Sequence, residues 1–162
     1  MLAANPDGVA RGTRCNAAGV ELNRNFPAPD WGPGPVAHCW TRADPQDVAL
    51  SPGPRPASEP ETRALMELVE RVRPDAVVSV HAPLACVEDR GATVVGRWLA
   101  ARSGLPLVDR IPGTAPGTFG GWLRGHGMEE VVYEVPVASK DRLMREHVPV
   151  LVDLLRGAFR EG

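Results

Sequence analysis

With 162 residues, 43% of them hydrophobic, and a formal net charge of -2, the chain has the makeup of a single globular domain that can bury a core. Eighteen Lys and Arg against 20 Asp and Glu exclude the strongly basic surface that nucleic acid or an anionic membrane calls for, and no apolar run is long enough to span a bilayer. Three cysteines, Cys15, Cys39 and Cys86, with no Cys-x-x-Cys among them, argue against a disulfide framework and a zinc-thiolate site, and suit a reducing compartment such as the cytoplasm.

In chain order, residues 1–4 read as the end of a strand running into the turn former Asn5-Pro6-Asp7-Gly8. The stretches Arg11-Gly12-Thr13-Arg14 and Asn23-Arg24-Asn25-Phe26 then place closely spaced arginines and asparagine in loops. A guanidinium presents a planar fork of donors that matches a carboxylate, and an amide beside it adds orientation. Such stretches also occur as ordinary solvated loop.

Residues 27–57, crowded with proline and glycine, read as an irregular surface excursion with room for a short helix or some disorder. Ser58 with Glu61 makes a capping box. The apolar positions Leu65, Leu68, Val69 and Val72 follow at helical spacing, and this helix ends before Pro74. Ala76-Val77-Val78-Ser79-Val80 is the near-continuous apolar run of a strand buried on both faces, with His81 at its carboxyl end.

A helix from about Thr93 to Arg102 stops at Gly104, and Glu130 to Val135 forms another strand. The last segment sets Leu143, His147, Val150, Leu151, Leu154, Leu155 and Ala158 on one stripe of an amphipathic helix, with Pro149 near its start or at a kink. No internal repeat is present.

In open α/β sheets ligands bind beyond the carboxyl ends of strands, where both His81 and Glu134 fall. A histidine there is either a satisfied strand terminus or a metal ligand. A carboxylate inside an apolar strand is costly without a partner, so Glu134 is either a salt-bridged structural group or a catalytic one.

The ordered set Asn5-Pro6-Asp7-Gly8, Arg11-Gly12-Thr13-Arg14, Leu22-Asn23-Arg24-Asn25-Phe26-Pro27, Ser58-Glu59-Pro60-Glu61-Thr62, Ser79 to Asp89, Pro116-Gly117-Thr118-Phe119-Gly120 and Tyr133-Glu134 resembles the zinc carboxypeptidase family. More narrowly, it is similar to the branch acting on murein peptides. The resemblance covers nearly all of the chain. It implies an α/β fold, the C-terminal portion of a mixed sheet flanked by helices, with residues 1–162 as one catalytic domain that lacks its N-terminal part.

The family holds one zinc ion with an early His-x-x-Glu pair and a later histidine. By resemblance His81 is that later ligand, and the early pair is absent. His126 with Glu129 fits the bare spacing, but it falls after the pocket segment rather than before Asn5, and so reads as coincidence. The implied zinc site is therefore incomplete.

The resemblance further implies that Glu134 is the general base and acid and that Arg11 stabilises the oxyanion. Asn23 and Arg24 would hold the substrate's free carboxylate, with Phe119 and Gly120 lining the pocket for the released residue. For Arg14 and Asn16, structural hydrogen bonding and substrate contact both stand open, as core packing does for Phe119.

Two departures stand out. The stretch from Ile111 to Trp122 has no tyrosine to close over substrate, and Ala82 stands where the murein branch usually has aspartate. The implied activity is hydrolysis of the γ-D-glutamyl to diaminopimelate bond in small murein peptides, impaired by the two missing zinc ligands. The alternatives are an inactive carboxypeptidase-like module binding peptide carboxylates, and a zinc deacylase of the aspartoacylase kind.

Overall fold

The computed structural model describes residues 3–39, 47–111 and 115–160. Its elements are, in order, α1 (Pro6–Arg11), a 3-10 turn (Leu22–Arg24), β1 (Val36–Cys39), β2 (Asp47–Leu50), α2 (Pro60–Val72), β3 (Val77–His81), β4 (Leu84–Glu88), α3 (Val94–Ser103), β5 (Leu107–Val108), α4 (Phe119–Gly125), β6 (Glu130–Pro136), α5 (Lys140–Glu146) and α6 (Val148–Leu155), before a closing 3-10 turn (Ala158–Arg160). The chain divides into two compact units, Met1–Asp75 with Thr114–Met128, and Ala76–Gly113 with Glu129–Gly162.

In the first unit the Asn5-Pro6-Asp7-Gly8 segment starts a helix rather than a turn. Asn5 Oδ1 accepts from the Gly8 amide at 2.8 Å, Pro6 occupies the first turn, where a missing N–H costs nothing, and Gly12 ends α1 in the left-handed region. Most of the strand expected over residues 1–4 lies outside or at the margin of the described residues, and Ala3 and Ala4 are not in a strand.

The excursion over residues 27–57 contains an antiparallel ladder. Val36 pairs with Leu50, Ala37 with Ala49, His38 with Val48 and Cys39 with Asp47. The capping box at Ser58 does not form, because Pro60 takes the first helical position and moves the N-cap to Glu59. Ser58 Oγ instead bonds Glu59 Oε1 at 2.7 Å and receives a bond from Asn25 Nδ2 at 2.9 Å. α2 ends at Val72, as the following proline requires. Val20, Leu22, Phe26, Leu50, Trp122 and Leu123 are buried in this unit.

The second unit is a four-stranded mixed sheet in the order β3-β6-β4-β5. β3 runs parallel to β6, β6 antiparallel to β4, and β4 parallel to β5. Its core joins Val87, Val131 and Tyr133 of the sheet to Val95 and Leu99 of α3 and Val150 of α6. Among the described residues β3 is an edge strand and Val80 is 52% exposed, so the expectation of burial on both faces fails there. An apolar run alone does not distinguish a central strand from an edge.

Thr93 caps α3 by accepting from the Gly96 amide at 3.2 Å, and Gly104 ends it. The last segment breaks into α5 and α6 at His147, with Pro149 in the first turn of α6. Leu155, expected on the buried stripe, is exposed.

Candidate functional site

The arginine-asparagine loop of the first unit is built around two buried polar side chains. Asn25 has no exposed surface. Its Nδ2 donates to Pro52 O (2.7 Å), Arg55 O (3.1 Å) and Ser58 Oγ (2.9 Å), while its Oδ1 accepts from the Glu59 amide at 3.1 Å. Glu59 in turn accepts from Asn16 Nδ2 at 2.8 Å. Glu21, also buried, accepts from the Asn23 amide through Oε1 at 3.1 Å and pairs through Oε2 with Arg14 Nε. These contacts hold the Leu22–Arg24 turn from both sides.

On that turn Asn23 Oδ1 accepts from the Phe119 amide at 2.8 Å, which fixes its orientation and leaves Nδ2 without a partner among the described residues. Arg24 is 8% exposed. The only hydrogen bond of its side chain among the described residues runs from NH1 to Asn23 O at 2.6 Å, and its Nε is buried with no partner. Burial pushes the Arg24 guanidinium down from its ordinary value, while the nearby Glu21 carboxylate opposes that and Arg14 adds to it.

Gly117 lies against the turn in a left-handed conformation. A Cβ there would stand 2.3 Å from Arg24 O, so only glycine permits this approach. Phe119 packs on Phe26 with ring centroids 5.0 Å apart and on Trp122 at 6.0 Å, and Gly120 is buried in α4. Arg11, the last residue of α1, is exposed, whereas Arg14 is half-buried with its carbonyl accepting from Asn5 Nδ2 at 2.9 Å.

In the second unit the ladder sets His81 of β3 opposite Glu134 of β6, and Glu134 opposite Cys86 of β4. Paired residues on adjacent strands point to the same side, so the three form a row on one face, while Tyr133, the next residue, enters the core on the other. Glu134 is 7% exposed, and its Oε2 accepts from the Leu84 amide at 3.2 Å. Burial, followed by the charges of Glu134 and Glu88, pushes the Cys86 thiol up.

The residues expected from the sequence thus fall into two sets. The first unit brings Asn23, Arg24, Phe119 and Gly120 together, and the second brings His81 and Glu134 together. Glu21 and Asn25 support the Leu22–Arg24 turn, and neither is given a role by sequence, although Asn25 stands within the motif at residues 22–27. Glu21 carries a signal in its place two residues before Asn23.

A mononuclear zinc site needs three protein ligands. Among the described residues no group of three or more His, Cys, Asp or Glu side chains could hold a metal ion, so the donors present do not fit a complete site.

A family profile described as zinc carboxypeptidase matches residues 1–84. Murein peptide amidase A of Escherichia coli strain K12 is 43% identical over 157 residues, covering 96% of this chain and 65% of that protein. The protein of the same name from Vibrio campbellii is 36% identical over 157 residues, covering 96% and 63%. The chain therefore spans about two thirds of the length of these relatives.

A crystal structure of murein-tripeptide amidase MpaA from E. coli O157 superposes with a TM-score of 0.92 at 42% identity, over 96% of this chain and 66% of that one. Bovine thrombin-activatable fibrinolysis inhibitor shares the fold, with a TM-score of 0.64 at 17% identity over 88% of this chain and 56% of that one.

Proposed function

The chain belongs to the zinc carboxypeptidase family, and from that premise we propose that it takes small murein peptides by their free carboxylate, as a hydrolase of the γ-D-glutamyl to diaminopimelate bond. The observation that carries this reading is Arg24. A guanidinium that is 8% exposed, with no carboxylate paired to it among the described residues, is costly to keep in an empty protein and is compensated when a ligand carboxylate arrives. Asn23 stands beside it with its oxygen already committed to Phe119 and its amide nitrogen available as a second donor. Phe119 and Gly120 then line the space for the released residue.

In this reading Glu134 takes the proton from the attacking water and delivers it to the leaving amine. The oxyanion role falls in the Arg11–Arg14 segment. Sequence resemblance assigns it to Arg11. Arg14 is the better preorganised of the two, since its Nε is held by Glu21, and preorganised donors are what stabilise developing charge. His81 is the family's late zinc ligand. Because the donors present do not complete a zinc site, no step here is routed through the metal. The cytoplasm is the compartment we assign, in keeping with the free Cys15 and Cys86.

The test is calorimetric binding of a murein tripeptide and of its C-terminal amide, with product release followed in parallel. The free acid should bind at least about tenfold more tightly than the amide, and Arg24→Ala should abolish that preference, since hydrogen bonds to charged groups are worth roughly 1.5 to 3 kcal/mol. Equal affinity for acid and amide in the parent chain would refute the clamp. Binding with that preference but without turnover would leave a carboxylate-binding module as the reading.

A further inference from the structure

We propose that Glu21 is a positioning residue for the carboxylate clamp, holding the Asn23 turn with one carboxylate oxygen and Arg14 with the other. This rests on the reading of Asn23 and Arg24 as that clamp.

Glu21 is 5% exposed, a depth at which an acid survives only if its oxygens are occupied. Its backbone is pinned first, by a bond from its amide to Ser51 O at 2.9 Å and by one from the Arg24 amide to its carbonyl at 2.9 Å. Its side chain then caps the turn that carries both clamp residues, through the bond from the Asn23 amide to Oε1. The second oxygen, Oε2, pairs with Arg14 Nε. Arg14 is anchored independently, because its carbonyl accepts from Asn5 Nδ2. The acid therefore links the Arg11–Arg14 loop to the clamp turn.

The decisive feature is what Glu21 leaves alone. It forms no ion pair with Arg24, although its negative charge favours the protonated state of that guanidinium against burial and against Arg14. An acid bonded directly to Arg24 would compete with an incoming carboxylate for the same donors. An acid bonded to the turn and ion-paired with Arg14 compensates the buried charge and leaves those donors open. Neither Asn25 nor Glu59, the other buried supports of this loop, contacts an arginine side chain in the described set.

The experiment uses the full chain and heteronuclear NMR of the arginine Nε–H groups, together with calorimetry of a murein tripeptide and its C-terminal amide. In the parent, Arg14 Nε–H should exchange with water at least about tenfold more slowly than the exposed Arg11 Nε–H, as expected for a buried donor ion-paired with a carboxylate. Glu21→Gln keeps an acceptor for the Asn23 amide but loses the charge. It should bring Arg14 exchange to the Arg11 level, keep the Asn23 amide protected, and lower the acid-over-amide preference about tenfold. Glu21→Asp restores the charge and should recover part of that preference.

Arg14 and Arg11 exchanging alike in the parent would overturn the proposal. So would a Glu21→Gln chain that keeps the full acid preference, or Asp and Gln variants that lose it equally. If Glu21→Gln does not fold, the parent exchange comparison and the Asp variant still decide. A parent with no acid preference removes the clamp reading and with it this role of Glu21. Slow Arg14 exchange in that same parent would show the pair intact and assign the failure to the clamp.

Discussion

Replacing Asn25 with alanine should destabilise the chain more than any other single truncation on the arginine-asparagine loop. The side chain is fully buried and makes four hydrogen bonds, three from Nδ2 and one to Oδ1. Two of these, to Pro52 O and from the Glu59 amide, lie in buried surroundings, and alanine would leave both partners unsatisfied. An unsatisfied buried partner costs roughly 1 to 3 kcal/mol and an ordinary lost bond about 0.5 to 1.5 kcal/mol, so two of each come to about 6 kcal/mol. That is a large part of a typical stability of about 5 to 15 kcal/mol. For a chain of this size it corresponds to a fall in Tm of about 12 to 24 °C. Guanidinium unfolding followed by circular dichroism measures it, with the midpoint shifting and the slope unchanged. A loss below about 1 kcal/mol would mean that the loop is not held through Asn25, and that the preorganisation argued for Asn23 and Arg24 has another source.

Two further outcomes follow from the sheet. Tyr133 Oη lies 2.7 Å from His147 Nδ1, and burial pushes the phenol up, with the Ser103 hydroxyl opposing. A folded pKa above the unfolded value of about 10 means that this group's contribution is fully present below pH ~10 and is lost as pH rises through the higher folded value. Tyr133→Phe should therefore be less stable at neutral pH but lose less stability towards alkaline pH. Phenolate absorbance of the parent reads the shift directly, because Tyr133 is the only tyrosine, and a midpoint at the ordinary value would contradict it. Glu134→Gln should speed alkylation of Cys86 at mildly alkaline pH by removing a charge that holds the thiol protonated, leave Cys15 unchanged, and abolish any hydrolysis the parent shows. Peptide mapping by mass spectrometry follows the two cysteines separately, and an unaltered Cys86 rate would show that the row across the sheet does not couple them.

The parts of this chain that are legible in sequence are those whose signal is local. α3 declares itself through Thr93 and Gly104 at its ends, and β6 through its β-branched run, because caps and propensities act within a few residues. The β1–β2 ladder is hidden among prolines and glycines, since what forms it is pairing across a gap and not composition. Ser58 shows how a sound local rule loses. It has the spacing of a capping residue, yet Asn25, 33 positions away, gains a buried partner from it, and Pro60 starts the helix without needing its cap.

The same logic separates the site residues. Glu134 attracts attention because its charge is out of place in an apolar strand and Arg24 because it stands in an ordered set of motifs, whereas Glu21 and Asn25 draw no role, because their surroundings are assembled from residues far along the chain. A buried acid three positions before a buried arginine is ambiguous in sequence, since it could be that arginine's own counter-ion. Only the fold shows the acid turned towards Arg14 and the Asn23 amide instead. That difference decides whether Arg24 is a structural ion pair or an open socket for a carboxylate.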